Sequence, residues 1–167
     1  DLGRFGRMND AVMGAGRFEK FAGLLVAVVV IAAYANSFAG VFLMDDGLRI
    51  LQNPDIRHPM AACLDTTRPL VGLSLWMNLA LGGRVADFHL LNLAVHLSAA
   101  LLLFGLIRRT CRIRGCQATT ASAWAAIGAA MWGAHPIQTQ SVTYIIQRAE
   151  SMMGMLFLLV LYCFVRA

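Results

Sequence analysis

The chain has 167 residues, of which 59% are hydrophobic and only 14% are charged, and its mean hydropathy is +0.65. This composition is too apolar for an ordinary soluble domain and is typical of a protein that crosses a lipid bilayer several times. The net charge of +5 comes from basic residues in short clusters beside apolar runs. Because no basic face is interleaved with aromatic residues, we expect no nucleic-acid partner.

The N-terminal segment, residues 1–20, is polar and basic, and an almost continuous apolar run follows it. A basic flank before an apolar run predicts a cytoplasmic segment followed by a first span over about residues 21–40. A cleaved signal peptide is the alternative. The run is long for a signal peptide, and the small-residue cleavage site after Tyr34 is weak, so the pattern favours a retained span.

A long outer loop is predicted next, over residues 41–86. It begins with an acidic segment, Met44–Arg57, whose sequence is MDDGLRILQNPDIR. Two short helices are expected within the loop, at Gly47–Gln52 and Leu70–Leu81. The second is apolar but only about 12 residues long, short of the roughly 20 that cross the hydrocarbon. We therefore expect it to lie parallel to the membrane surface.

Three further spans are predicted, over about residues 88–107, 119–134 and 149–165. The middle one is rich in Ala and Gly, which allows close helix packing and predicts a position inside a bundle. Arginines after the first of these spans place that connection in the cytoplasm by the positive-inside rule, so both termini are predicted to be cytoplasmic. The predicted fold is an all-α integral membrane protein with about four transmembrane helices.

Six polar residues outside the basic clusters fall on the outer side of this arrangement. Transfer of a sugar from a polyprenyl phosphate to a hydroxyl needs a base for the acceptor proton and a cation for the departing phosphate. Guanidinium groups suit phosphate by their planar donor geometry. The candidates are Asp45 or Asp46 as the base, Arg68 or Arg148 as the phosphate ligand, and His135 and Glu150 in supporting roles.

Less specific interpretations stay open for these residues. Asp46 can cap a helix that begins at Gly47, with Asp45 merely solvated, and the arginines can be interfacial topology charges. The acidic pair can also bind a divalent cation together with a lipid phosphate, although two adjacent acids are a weak metal signal and no metal site is predicted.

A stripe of polar residues, His89, Asn92 and His96, lies on one face of the second predicted span. Such a stripe can ligate haem, but haem inside a bundle usually needs a partner histidine on a facing helix. Since His135 lies at the outer edge, the pattern favours interhelical hydrogen bonds and no cofactor.

Four blocks of sequence follow one another from the first span onward: FLMDDGLRILQNPDIR, TTRPLVGLSLWMNLALGG, FHLLNLAVHLSAALLLFGLIRR and HPIQTQSVTYIIQRAESM. Their order resembles the N-terminal part of the TMTC-type membrane proteins, which are O-mannosyltransferase relatives with tetratricopeptide repeats in the GT-C glycosyltransferase superfamily. The resemblance implies an acidic motif at Asp45 and Asp46, two membrane-parallel loop helices and a polyprenyl-phosphate sugar donor. The chain departs from the family at Gln138 and Gln140, where members often carry a histidine and a glutamate.

The resemblance also implies that residues 21–167 are a GT-C-like transmembrane module of a longer enzyme, because such enzymes have many more spans and usually a repeat domain. The expected function is transfer of a sugar to a hydroxyl of a protein or glycan at the outer, periplasmic or lumenal, face of the membrane. The alternative is a non-catalytic membrane subunit or scaffold, which the short length and the small-residue span suggest. We expect a bacterial inner membrane rather than the endoplasmic reticulum.

Overall fold

The structure, a computed structural model, describes residues 2–64 and 68–167, with side chains for residues 14–63 and 68–167. In this described part the chain is helical and forms no β-strand. The α-helices are α1 (Leu2–Tyr34), α2 (Pro59–Leu64), α3 (Pro69–Ala80), α4 (Val85–Ile113), α5 (Ala118–Gly133), α6 (Thr139–Thr143) and α7 (Arg148–Arg166).

Helix α1 runs without a break through the predicted basic segment and most of the predicted first span. A short 3-10 helix, Ala35–Ala39, continues it and ends at Gly40. The hydroxyl of Ser37 donates to the carbonyl of Tyr34 at 2.8 Å, which satisfies one of the carbonyls that the end of α1 leaves free. The polar and apolar parts of the N-terminal region are therefore one helix.

Helix α4 is the centre of the bundle, since α1, α5 and α7 all pack against it. The small residues of α5 make a close approach possible: Ala121, Ala125 and Ala129 are fully buried. At Gly133 a Cβ atom would lie 2.6 Å from Cγ2 of Val30, so this position has no room for a side chain. The small-residue face of α5 thus lies inside the bundle as expected, whereas its other face, with Trp124, Ile127 and Met131, is exposed.

Three helical segments are long and apolar enough to cross a membrane, namely Gly14–Ala39, Val85–Ile113 and Ile145–Arg166. Helix α5 has 16 residues and a length of about 24 Å, which is less than the roughly 30 Å of a bilayer's hydrocarbon core. The chain thus has the all-helical membrane architecture that the sequence predicts. The count of four spans remains a prediction.

The loop between the first two spans folds onto the end of the bundle. It contains a π-helical turn at Gly47–Leu51, a 3-10 turn at Asp55–Arg57, and helices α2 and α3. The π-helical turn, the 3-10 turn and α3 share a small apolar core with α4 and with the 3-10 turn Ile145–Gln147 that precedes α7; it contains Ile50, Ile56, Leu75, Phe88 and Ile145.

Helices are present at both positions predicted for the loop, and their orientation relative to the membrane remains a prediction. Helix α3 begins with Pro69 in its first turn, where the missing N–H costs nothing. It ends at Ala80, and the turn that follows contains Gly82, whose φ of 123° is a conformation that glycine adopts without strain.

The two ends of the bundle carry different charges. At one end Arg108 pairs with Glu19, and the guanidinium of Arg109 donates to the carbonyls of Val165 and Arg166. We call this the basic end. The loop elements carry Asp45, Asp46 and Arg68, and the start of α7 carries Arg148 and Glu150. These residues are at the opposite end, which we call the loop end. The predicted separation of the basic clusters from the candidate site is therefore present in the structure.

Candidate active site

The acidic pair lies in a tight turn formed by residues 43–46. The amide of Asp46 donates to the carbonyl of Leu43 at 2.9 Å. The amide of Leu43 in turn donates to Oδ2 of the Asp46 carboxylate at 3.0 Å. Between them Met44 has a φ of 43°, a left-handed conformation that is uncommon for a residue with a side chain. The turn is thus a strained piece of backbone that the Asp46 side chain holds in place.

The second carboxylate oxygen of Asp46, Oδ1, accepts from the amide of Ile146 at 3.0 Å. The residue is only 1% exposed, so both of its oxygens are used for backbone donors in a buried setting. The expectation that Asp46 caps the helix at Gly47 is wrong, since its side chain bonds to Leu43 and Ile146 and not to the amides of that helix. Asp46 joins the outer loop to the segment just before α7.

Asp45 is in the opposite situation. Its side chain is 59% exposed, and its Oδ2 lies 3.9 Å from Nε of Arg49, four residues further on. Its amide donates to the hydroxyl of Tyr144 at 3.1 Å, which fixes the backbone but leaves the carboxylate free to meet a substrate. Of the two adjacent acids, only Asp45 has a carboxylate that a substrate can reach.

The guanidinium of Arg148 is fully buried and joins three segments. Its Nε donates to Oδ1 of Asn92 at 2.6 Å, one terminal nitrogen donates to the hydroxyl of Ser74 at 3.1 Å, and the other donates to the carbonyl of Phe88 at 3.1 Å. It also lies 5.7 Å from the centre of the Phe88 ring, within the range of a cation–π contact. Arg148 therefore connects the start of α7 to α3 and α4.

Arg68 differs from Arg148 in being accessible. Its side chain is 60% exposed and pairs with Glu150 at 3.3 Å, which brings two of the candidate residues together. It borders a pocket of about 370 Å³ whose lining also includes Arg49, Asn53 and Ile146. This volume falls in the range of roughly 300 to 1,000 Å³ that small-ligand sites occupy.

A second cavity, an apolar groove, adjoins this pocket, and Arg68, Val71 and Ala149 line both of them. It has a volume of about 400 Å³ and runs between the start of α3 and the first turns of α7, lined by Leu70, Met152, Met153 and Leu156. Arg68 borders both cavities. The loop end thus carries a pocket with two arginines that is continuous with an apolar groove.

The remaining candidates lie apart from the pocket. His135 is exposed, and its ring accepts from the amide of Ile137 at 3.2 Å, while its carbonyl accepts from the hydroxyl of Tyr34 at 3.3 Å. His96 lies 2.8 Å from the carbonyl of Gly133, and Asn92 donates to the carbonyl of Val142 at 3.2 Å. The hydrogen bonds expected between helices are therefore present for Asn92 and His96.

His89 is the member of the stripe that makes no hydrogen bond among the described residues, although it is only 2% exposed. A Cβ atom on Gly40 would lie 2.8 Å from its Nε2, so the ring is packed directly against the backbone that follows α1. Within the described side chains, no group of three histidine, cysteine or acidic residues is placed to hold a metal ion.

Arg49 and Tyr144 were not among the residues that the sequence indicated. Arg49 carries a local signal, because residues four apart on a helical turn are neighbours and an acid–base pair at that spacing is favourable. Tyr144 carries none, since its contact with Asp45 joins residues 99 positions apart.

Comparison with known proteins gives several relatives of one kind. Over 161 residues, 86% of the chain, it is 28% identical to the protein O-mannosyl-transferase tmtc2 of Xenopus laevis. It is 29% identical over 150 residues to Tmtc2 of Drosophila melanogaster and 28% identical over 166 residues to human TMTC4, with 78% and 83% of the chain covered. The chain is related to the TMTC protein O-mannosyltransferases.

The chain spans only about a fifth of the length of these TMTC relatives, with 18%, 15% and 22% of them covered. No protein-family profile and no solved structure matches the chain. The TMTC relatives named above come from animals, so the expected preference for a bacterial inner membrane over the endoplasmic reticulum has no support. That the chain is a membrane protein is supported by its apolar helices.

Proposed function

We propose that the chain is the part of a membrane glycosyltransferase that holds the sugar donor, and that it transfers mannose from a polyprenyl phosphate to a hydroxyl of a protein at the outer face of the membrane. The observation that carries this proposal is the continuity of three features. Asp45 pairs with Arg49, Arg49 lines the pocket with Arg68, and Arg68 borders the apolar groove. The relatives are named protein O-mannosyl-transferases, and this name supplies the sugar and the acceptor class.

In the proposed reaction, the acceptor hydroxyl oxygen forms a bond to the anomeric carbon of the sugar as the bond from that carbon to the phosphate oxygen breaks. The phosphate oxygen keeps the electron pair, and polyprenyl phosphate leaves as an anion. The hydroxyl proton passes to a carboxylate oxygen of Asp45, which acts as general base. Because the leaving group is already a stable anion, no general acid is needed, in contrast to glycoside hydrolysis.

The accessible arginines are the groups we assign to the phosphate. Arg68 and Arg49 both line the pocket, and a guanidinium offers paired N–H donors that match phosphate oxygens. Arg148 holds the walls of the site together through its bonds to α3 and α4. The apolar groove between α3 and α7 has the lining that a prenyl chain requires, and Glu150 orients Arg68 at the junction of the two cavities.

A divalent cation is an optional part of this scheme. Both oxygens of Asp46 accept backbone N–H groups, so a cation bound at the acidic pair would rely on Asp45 and on the phosphate of the donor. His135 lines neither the pocket nor the apolar groove, and its carbonyl accepts from the hydroxyl of Tyr34, so we assign it a structural role.

The test uses the complete gene product in membranes, with a radiolabelled polyprenyl-phosphate mannose donor and a hydroxyl-bearing acceptor peptide. Asp45→Asn is expected to lower the transfer rate by about 100- to 10,000-fold, the usual contribution of a general base. Arg68→Gln is expected to raise the donor KM by about 10- to 100-fold, the effect of losing a charged hydrogen bond. Asp55→Asn, in an exposed acid of the same loop, is the matched control and should leave both quantities unchanged.

An unchanged rate for Asp45→Asn would overturn the proposal and favour a non-catalytic subunit or scaffold. The small residues that suggested the scaffold, Ala121, Ala125 and Ala129, are buried against neighbouring helices of this same chain. That face is therefore already occupied and gives a partner protein no surface.

A further inference from the structure

A third cavity lies at the basic end of the bundle, away from the candidate active site. It is a slot of about 530 Å³ between α1 and α7, and its floor is a stripe of α4 that includes Ser98, Leu101, Leu102 and Gly105. These positions recur at three- and four-residue intervals and so lie on one face of α4. The other face of α4 packs against α5.

The slot has an apolar floor and an aromatic wall. The only hydroxyl on its floor, that of Ser98, donates to the carbonyl of Ala94 at 2.8 Å and so needs no partner from the slot. Tyr162 lies directly on Gly105, where a Cβ atom would be 2.7 Å from the tyrosine ring. An elongated apolar cavity between membrane helices fits a hydrocarbon chain.

The mouth of the slot, in contrast, is basic. Lys20 is exposed there, and Arg108 uses one terminal nitrogen to pair with Glu19. The Nε of Arg108 is buried and has no hydrogen-bond acceptor among the described residues. A buried donor without an acceptor is unfavourable, so a small shift of the Arg108 side chain that brings this nitrogen to an anion at the mouth would be favourable.

The charge around the mouth also favours an anion. The described side chains near this end carry one acid, Glu19, against seven bases, which are Arg17, Lys20, Arg108, Arg109, Arg112, Arg114 and Arg166. Basic pockets between membrane helices are a known type of binding site for anionic lipid headgroups.

We propose that this slot binds one anionic phospholipid of the surrounding bilayer. An acyl chain lies on the α4 stripe between α1 and α7, and the headgroup phosphate contacts Lys20 and the guanidinium of Arg108. A lipid fits the slot because the slot joins an apolar interior to a cationic mouth at the end of the helices. The site does not depend on glycosyl transfer, since it is at the other end of the bundle.

The test is native mass spectrometry of the complete protein in mild detergent, titrated with phosphatidylglycerol or with phosphatidylcholine that carries the same two acyl chains. We expect tighter binding of phosphatidylglycerol. Lys20→Gln and Arg108→Gln should each weaken that binding about fivefold, the effect of one basic residue near a lipid phosphate. Arg114→Gln removes the same charge from the same end but outside the slot, and it should weaken the binding much less than Lys20→Gln does.

A third variant separates the slot from general charge effects. Ser98→Phe fills the floor without altering any charge and should weaken the binding of both lipids. Equal affinity for the two lipids, or an equal loss of affinity in Arg114→Gln and Lys20→Gln, would overturn the proposal. A third outcome would also overturn it: no lipid adduct is detected, and Ser98→Phe lowers the melting temperature. That result indicates that a protein helix occupies the slot. Lys20 is exposed and makes no hydrogen bond or ion pair among the described residues, so its variant remains informative if Arg108→Gln fails to fold.

Discussion

Replacing Arg148 with methionine tests whether this buried guanidinium holds the loop end together. The substitution keeps much of the side-chain volume but removes three hydrogen bonds, to Asn92, Ser74 and the carbonyl of Phe88. It also leaves buried acceptors without donors, which is why the expected effect is large.

The magnitude follows from the number of bonds. Hydrogen bonds between helices of membrane proteins are worth about 0.6 to 1.7 kcal/mol each, so three of them give about 2 to 5 kcal/mol. For a chain of this size, 1 kcal/mol lowers the melting temperature by about 2 to 4 °C, so a decrease of roughly 4 to 20 °C is expected.

Thermal unfolding in detergent, followed by circular dichroism, measures this decrease. Arg68→Met is the matched control, because it removes an exposed arginine whose ion pair with Glu150 is worth about 0 to 1 kcal/mol. In the wild-type background, Ser74→Ala should lower the free energy of unfolding by about the contribution of one hydrogen bond. When Arg148 is already methionine, the same substitution should lower it by almost nothing. If Arg148→Met and Arg68→Met melt at the same temperature, the structural role assigned to Arg148 is refuted.

Two glycine substitutions test the close packing described above. Gly133→Ala is expected to destabilise the bundle by about 1 to 3 kcal/mol because its methyl group would overlap a side chain of α1. Gly154→Ala places a methyl group that meets nothing within 4 Å, so it should instead stabilise α7 by up to about 1 kcal/mol. Equal melting temperatures for the two variants would contradict the packing. Gly40→Ala should destabilise by a similar 1 to 3 kcal/mol because it places a methyl group against the His89 ring. His89→Ala, which removes that ring, should restore part of the loss in the double variant, and a double variant no more stable than Gly40→Ala would contradict the contact.

The fold was largely predictable because helices in membranes follow from local information. Apolar runs of sufficient length predicted α1, α4 and α7, and the small residues of α5 predicted its place inside the bundle. The separation of the bases at one end from the loop at the other followed from the distribution of charge along the sequence. Each of these properties depends on residues that are neighbours in the chain.

The division of roles between Asp45 and Asp46 was not predictable in the same way. Two identical side chains at adjacent positions differ only in which way the backbone turns, and here the turn at Met44 directs one inward and the other outward. The sequence also could not distinguish the roles of Arg148 and Arg68, because an arginine can either bind a phosphate or connect buried segments. In both cases the deciding contacts are with residues far away in the sequence.

The bond between Asp46 and the amide of Ile146 joins positions 100 residues apart, and this separation fixes when the site can form. At about 5 to 20 residues per second, the ribosome needs roughly 5 to 20 seconds to produce Ile146 after Asp46. Throughout that interval the Asp46 carboxylate lacks the donor that holds it inside the protein. The first loop therefore acquires its complete set of hydrogen bonds only after the segment before α7 has been synthesised and has docked, so the proposed base, Asp45, is held in its final position only from that step onward.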